Sequence, residues 1–241
     1  MARASSALDA LPNAAEVAGG LSRLDGWIAA RGFRTRFGEW LPRVANPARA
    51  LANLESLIAA GEDPPADVLE PLLRVLGASQ TLASTVLAVP GAGLQWFREA
   101  LAIERVGADE HVRQVFEASA SGAGGDPAAV VRSPEIPVIL RRHKRRNFLR
   151  IGARDLLGLA TVQDTMREIS ALADGAIEVA ARHSRAYVAE EYGEFAADDR
   201  MRFTVLAMGK LGGSELNYSS DVDLVYLYQG GERGSAGGPR G

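Results

Sequence analysis

Residues 209–228 read GKLGGSELNYSSDVDLVYLY. A glycine pair, Gly212 and Gly213, stands seven residues ahead of an Asp-x-Asp, Asp221-Val222-Asp223, which opens an alternating apolar run. Side chains two apart in a strand share a face, so the run predicts Asp221 and Asp223 side by side, with Val222, Leu224, Tyr226 and Tyr228 facing the other way. Two carboxylates that close repel unless a proton or a cation relieves them. Hard oxygen donors at this spacing suit Mg2+, which usually shares its shell with phosphates. Upstream, RFTVLAMG predicts a strand from Phe203 to Met208, and Gly212 and Gly213 fall in the turn that leaves it. Glycines there let backbone N–H groups approach an anion closely. The stretch reads as a phosphate-binding turn and a cation-binding pair that together take a metal-bound nucleotide.

Other glycine-rich motifs do not fit. A P-loop needs four residues between its first glycine and a Gly-Lys, and nothing suitable precedes Gly209-Lys210; the spacing of a dinucleotide fingerprint fails as well. What fits is the pattern of the DNA polymerase β-like nucleotidyltransferases: strand, Gly-Gly, short helix, then Asp-x-Asp on the next strand. The longer wording MGKLGGSELNYSSDVDLVYLY resembles the segment found in both halves of the bifunctional glutamine synthetase adenylyltransferase/adenylyl-removing family. The resemblance extends upstream through LRRHKRRNFLRIGARDLLGLATVQDTMREISALADGAIEVA and more weakly through NPARALANLESLI and LLRVLGASQTLASTVL.

The resemblance implies an enzyme that adds AMP to a tyrosine of glutamine synthetase or removes it by phosphorolysis to ADP. It implies Asp221 and Asp223 as catalytic residues and Mg2+ ligands, and Gly212, Gly213 and Ser214 as nucleotide-phosphate contacts. Glutamine synthetase, ATP or ADP and phosphate, and a PII-type signal protein are the implied partners. A start at Met1 followed by about 200 helical residues matches the family's N-terminal, removing half, so deadenylylation is the favoured direction. The pattern also requires a third carboxylate on a later strand, and after Tyr228 only Glu232 is present. The catalytic domain is therefore expected to be truncated in this chain.

The remaining sequence is consistent with that frame. At 241 residues, with 47% apolar and 24% charged residues, the chain has the composition of a globular protein with a sizeable core rather than of a disordered or fibrous one. The absence of cysteine excludes disulfides, thiolate metal sites and a cysteine nucleophile, and fits the cytoplasm. No apolar run reaches the length of about 18 residues that a membrane span needs. A net charge of −3 points to no polyanionic partner.

From the N-terminus to about residue 193 the spacing is helical. In NPARALANLESLIAAGE, Asn46 reads as a cap, Pro47 as a first-turn residue, Leu51, Leu54 and Ile58 as a buried stripe and Gly61 as the stop. Residues 118–129, small and glycine-rich, read as a loop. A long helix follows from Thr161, with Val162, Met166, Ile169, Ala173, Ile177 and Ala180 on one side and Gly193 as its stop. The expected fold is a mostly α-helical region, residues 1–200, followed by the start of an α/β polymerase β-like domain, residues 201–241.

Several features carry simpler readings. The run Arg141, Arg142, His143, Lys144, Arg145, Arg146 has no interleaved aromatics and reads as a solvated helix face, buried on the side of Ile136, Ile139, Leu140, Phe148 and Ile151, rather than as a nucleic-acid site. His111, His143 and His183 are too scattered for a metal or catalytic cluster, and Trp27, Trp40 and Trp96 read as helix-packing anchors. Lys210 reads as a solvated loop residue. Two other functions stay open: a non-catalytic helical module that binds glutamine synthetase or a regulator, and a nucleotidyltransferase with another acceptor.

Overall fold

The computed structural model describes residues 8, 10–11, 13–89, 91–103, 105–120, 127–195, 202–229 and 235–239. The chain divides into two compact units, Met1–Glu104 with Phe148–Thr161, and Arg105–Asn147 with Val162–Gly241. Helices dominate both.

The first unit is built from α1 (Ala14–Ala30), α2 (Arg34–Trp40), a 3-10 turn (Leu41–Arg43), α3 (Pro47–Ala59), α4 (Ala66–Ala78), α5 (Gln80–Leu87) and α6 (Gly93–Ala102). Helix α3 starts as its sequence dictates: Asn46 Oδ1 accepts from the Arg49 N–H at 2.9 Å, satisfying a donor that the first turn leaves open. Its buried face is Ala50, Leu51, Asn53, Leu54 and Leu57; Ile58, expected on the stripe, is only half-buried because Leu57 takes the inward position. These residues pack against Val68, Leu69, Leu72, Leu73 and Leu76 of α4 and against α1. Trp27, Phe33, Phe37 and Trp40 form a tilted aromatic chain, the anchoring role expected of the tryptophans.

The second unit contains α7 (Ala108–Ala120), α8 (Pro127–Arg132), the first half of α9 (Ile136–Leu156) and the 31-residue α10 (Val162–Tyr192). Of the stretch 118–129 expected as a loop, residues 118–120 close α7 and 127–129 open α8, while 121–126 lie outside the described residues. The core here joins Val112 and Val115 of α7, Ile136 of α9 and Val179 of α10. Helix α10 ends at Tyr192, and Gly193, with φ of 89°, provides the expected stop.

The buried face of α10 differs from the apolar stripe read in the sequence. Thr165, Glu168, Ile169, Ser170, Leu172, Gly175 and Val179 are buried, while Val162 is 64% exposed and Ala180 is exposed. Two of these polar residues, Glu168 and Ser170, turn inward to bonds they make there. Glu168 Oε1 accepts from the Val106 N–H at 3.1 Å, and Ser170 Oγ accepts from the Leu216 N–H at 3.1 Å.

Two small antiparallel sheets complete the unit. Strand β2 (Arg202–Ala207) pairs with β3 (Leu224–Gln229) in the register Arg202↔Gln229 to Ala207↔Leu224. Strand β1 (Gly193–Phe195) pairs with β4 (Ser235–Gly237), so part of the glycine-rich tail forms a ladder. A four-residue helix α11 (Gly209–Gly212) follows β2. Among the described residues no helix is long and apolar enough to cross a membrane.

Candidate functional site

Strand β2 ends one residue before Met208, and the backbone of Met208 joins the two parts of the motif. Its N–H donates to Asp223 O at 2.9 Å, and its carbonyl accepts from the Gly212 N–H at 3.3 Å. The glycine turn and the aspartates therefore meet at one end of the β2–β3 ribbon. The strand itself begins only at Leu224, so Asp221 and Asp223 do not lie on it as expected; they are exposed residues of the segment that enters it. With β2 ending at Ala207, no ladder partner remains to extend the pairing back to Asp221.

The turn is tight. A Cβ on Gly212 would sit 2.5 Å from the carbonyl oxygen of Ala207, so the position admits no larger residue without movement. Gly209 and Ser214 both take left-handed backbone angles, φ of 55° and 57°. The amides of Gly213 and Ser214 donate to Gly209 O and Leu211 O, and that of Glu215 to Lys210 O at 2.7 Å. Residues 212–215 are exposed, held from below by buried Leu211 and Leu216.

The segment from Leu216 to the aspartates is organised by two residues that pattern reading did not single out. Ser170, on α10 and fully buried, accepts from the Leu216 N–H and donates to Met166 O at 2.9 Å. Asn217 Oδ1 accepts from the Ser220 hydroxyl at 2.6 Å and from the N–H and hydroxyl of Ser219 at 3.3 and 3.4 Å. Ser220 Oγ in turn accepts from Lys210 Nζ at 3.3 Å, which ties the glycine turn to the segment carrying the aspartates. An Asn followed by two serines is a sequence signal for such a turn, visible before folding.

Beside the ribbon lies an open cleft of about 370 Å³, lined by Asp174, Ile177 and Glu178 of α10 and by Phe203, Val205 and Leu224 of the sheet. Phe203 stacks on Tyr226 with centroids 6.1 Å apart. Partial burial pushes the Asp174 carboxyl above the usual carboxylate range.

The donor set suits Mg2+ in kind. Two exposed carboxylates beside the glycine turn can supply the one or two protein oxygens that this ion takes when phosphates complete its shell, while the amides of Gly212, Gly213 and Ser214, expected to face an anion, donate to carbonyls of the turn itself. No group of three or more potential metal-binding side chains occurs among the described residues, and Glu232, the one carboxylate side chain after Tyr228, lies outside them.

Elsewhere the basic run behaves as a helix face: Arg141, Arg142, Lys144 and Arg145 are exposed and His143 is buried. The structure brings together two histidines that look unrelated in the sequence. His111 Nδ1 lies 2.9 Å from His143 Nε2, ring edge to face, with Asn147 Nδ2 3.3 Å from the same nitrogen. His183 Nδ1 donates to Val131 O at 2.8 Å, a packing role.

The chain is thus a helical protein in which an aspartate pair and a glycine turn meet at one ribbon end, and its similarity to known proteins gives the family. Residues 69–240 match the family model for glutamate-ammonia ligase adenylyltransferase, and the chain belongs to that family. It is 34% identical over 161 residues to the bifunctional glutamine synthetase adenylyltransferase/adenylyl-removing enzyme of Thioalkalivibrio sulfidiphilus, covering 66% of this chain and 16% of that protein. The enzymes of the same name from Stenotrophomonas maltophilia and Pseudomonas aeruginosa are 32% and 34% identical over 80% and 77% of this chain, each covered to 18%. The chain thus spans less than a fifth of the length of these relatives. No solved structure matches.

Proposed function

We propose that this chain carries the opening part of a polymerase β-like nucleotidyltransferase site that controls the adenylylation of glutamine synthetase, with removal of AMP as its direction. The observation that supports this most is the Met208 backbone, which holds the Gly212 turn and Asp223 at the same ribbon end. The division into a helical region, 1–200, and a catalytic beginning, 201–241, belongs to the same reading, as do a cytoplasmic location and a PII-type regulatory partner.

In this reading Asp221 and Asp223 hold Mg2+, which when bound offsets the charge on the reacting phosphate oxygens. The turn Gly212–Ser214 receives the phosphates, with Lys210 beside it. Phosphate attacks the α-phosphorus of the AMP-tyrosine in line. A new P–O bond forms as the bond to the tyrosyl oxygen breaks, the tyrosyl oxygen takes a proton, and the second product is ADP. The chain's share of this work is orientation: it fixes the anion at the turn opposite the carboxylates.

The test is release of ADP from adenylylated glutamine synthetase in phosphate and Mg2+, using this chain alone and this chain fused to the residues that follow the matched region in the Pseudomonas relative. The fusion is expected to release ADP, and Asp221→Asn with Asp223→Asn to reduce the rate roughly 100-fold or more, the loss of a few kcal/mol of charge stabilisation. A folded fusion that releases no ADP, or a double variant as fast as its parent, overturns the reading.

A further inference from the structure

We infer that Asn217 is the positioning residue of the site, setting where Asp221 and Asp223 stand relative to the glycine turn; the inference rests on the proposed metal-binding role of those aspartates. Neither aspartate is on a strand, so the ladder does not orient them. What precedes them is the four-residue segment from Asn217 to Ser220, which follows the buried Leu216, and its polar order runs through one atom. Asn217 Oδ1 accepts three hydrogen bonds, from Ser219 N, Ser219 Oγ and Ser220 Oγ, the last at 2.6 Å. The backbone closes the same turn, with the Ser220 N–H on Asn217 O at 3.3 Å.

Both ends of this knot are attached. Behind it, the Leu216 N–H is held by Ser170 Oγ inside the unit, so Asn217 starts from a fixed point on α10. Ahead of it, Ser220 takes the Lys210 ammonium at 3.3 Å and is covalently next to Asp221. The Asn217 carbonyl thus links the helix, the glycine turn and the first aspartate. It is an acceptor-only role: each of the three side-chain bonds ends on Oδ1, and none uses the amide nitrogen.

That chemistry dictates the test. Asp at 217 keeps the acceptor oxygens and the turn; Leu keeps the volume and removes them. The probe is Mn2+ alone, its affinity read by electron paramagnetic resonance, for the wild-type chain, Asn217→Asp, Asn217→Leu and Asp221→Asn with Asp223→Asn, with circular dichroism as the fold control. Residues that orient metal ligands from behind typically change metal affinity by about 10–100-fold. Asn217→Leu is expected to weaken Mn2+ about tenfold at unchanged helicity, and Asn217→Asp to stay within about twofold of wild type or to bind more tightly. A folded Asn217→Leu that binds as the wild type does, or an Asn217→Asp as weak as the Leu variant, overturns the inference. The double aspartate variant separates the two levels: if it loses Mn2+ while Asn217→Leu does not, only the role of Asn217 fails, and if it binds as the wild type does, or the wild type does not bind, the metal reading falls and takes the inference with it.

Discussion

At Gly212 a single hydrogen atom in place of a methyl group decides whether the turn can close. The Ala207 carbonyl oxygen lies where a Cβ would need to be, 2.5 Å away, and that oxygen belongs to a strand that cannot yield independently of β3. Gly212→Ala is therefore expected to destabilise the second unit by about 1–3 kcal/mol, the usual cost of overpacking. The chain supplies its own probes, because all five tyrosines lie in the second unit and all three tryptophans in the first. Urea unfolding of the variant should shift the tyrosine transition and leave the tryptophan transition in place; equal midpoints for wild type and variant would count against the clash. Ser214 makes a related point. Its left-handed backbone angle is one that a serine tolerates poorly, and it sits at the exposed edge of the proposed phosphate turn.

Among the elements, α10 determines most of what the second unit can do. It carries Val179 into the core, Glu168 to the Val106 amide and Ser170 to the Leu216 amide, so one face is both packing surface and polar anchor. Helix α7 approaches it at Gly175, where a Cβ would stand 2.7 Å from His111 Cβ and 2.9 Å from Ala108 O. Two effects compete in Gly175→Ala. Alanine favours a helix interior over glycine by about 1 kcal/mol. Forcing α7 away, and with it the buried His111–His143 contact, costs about 1–3 kcal/mol. The clash involves backbone and Cβ atoms that have no rotamer to change, so the net expectation is destabilisation, measured as a lower midpoint in thermal unfolding; a raised midpoint would show that helix propensity wins.

Across the whole molecule stability is unevenly distributed. In the first unit Leu51, Leu54, Leu69 and Leu72 are fully buried between α3 and α4. In the second, the β2–β3 ribbon has only two strands and leaves Tyr226 62% and Tyr228 80% exposed, too little burial for a ribbon to be firmly stable. Amides of β2 and β3 are expected to exchange with deuterium roughly 100-fold or more faster than those of α3 and α4, a gap of a few kcal/mol in opening free energy. Equal protection would mean that the ribbon opens only when the unit unfolds. Much of this architecture was legible beforehand. The Asn46 cap, the Gly193 stop, the strand run from Phe203 and the spacing from Gly213 to Asp221 are local patterns, set by backbone geometry and side-chain periodicity within a few residues. Other features depend on residues far apart in the chain. The meeting of His111 with His143, the inward turn of Glu168 and Ser170, the pairing of Gly193–Phe195 with Ser235–Gly237 and the placement of the aspartates just before their strand arise only when helices pack and hydrogen-bond partners become available. Periodicity records which residues prefer burial; which polar groups are buried with them is decided by the partners that tertiary packing brings within reach.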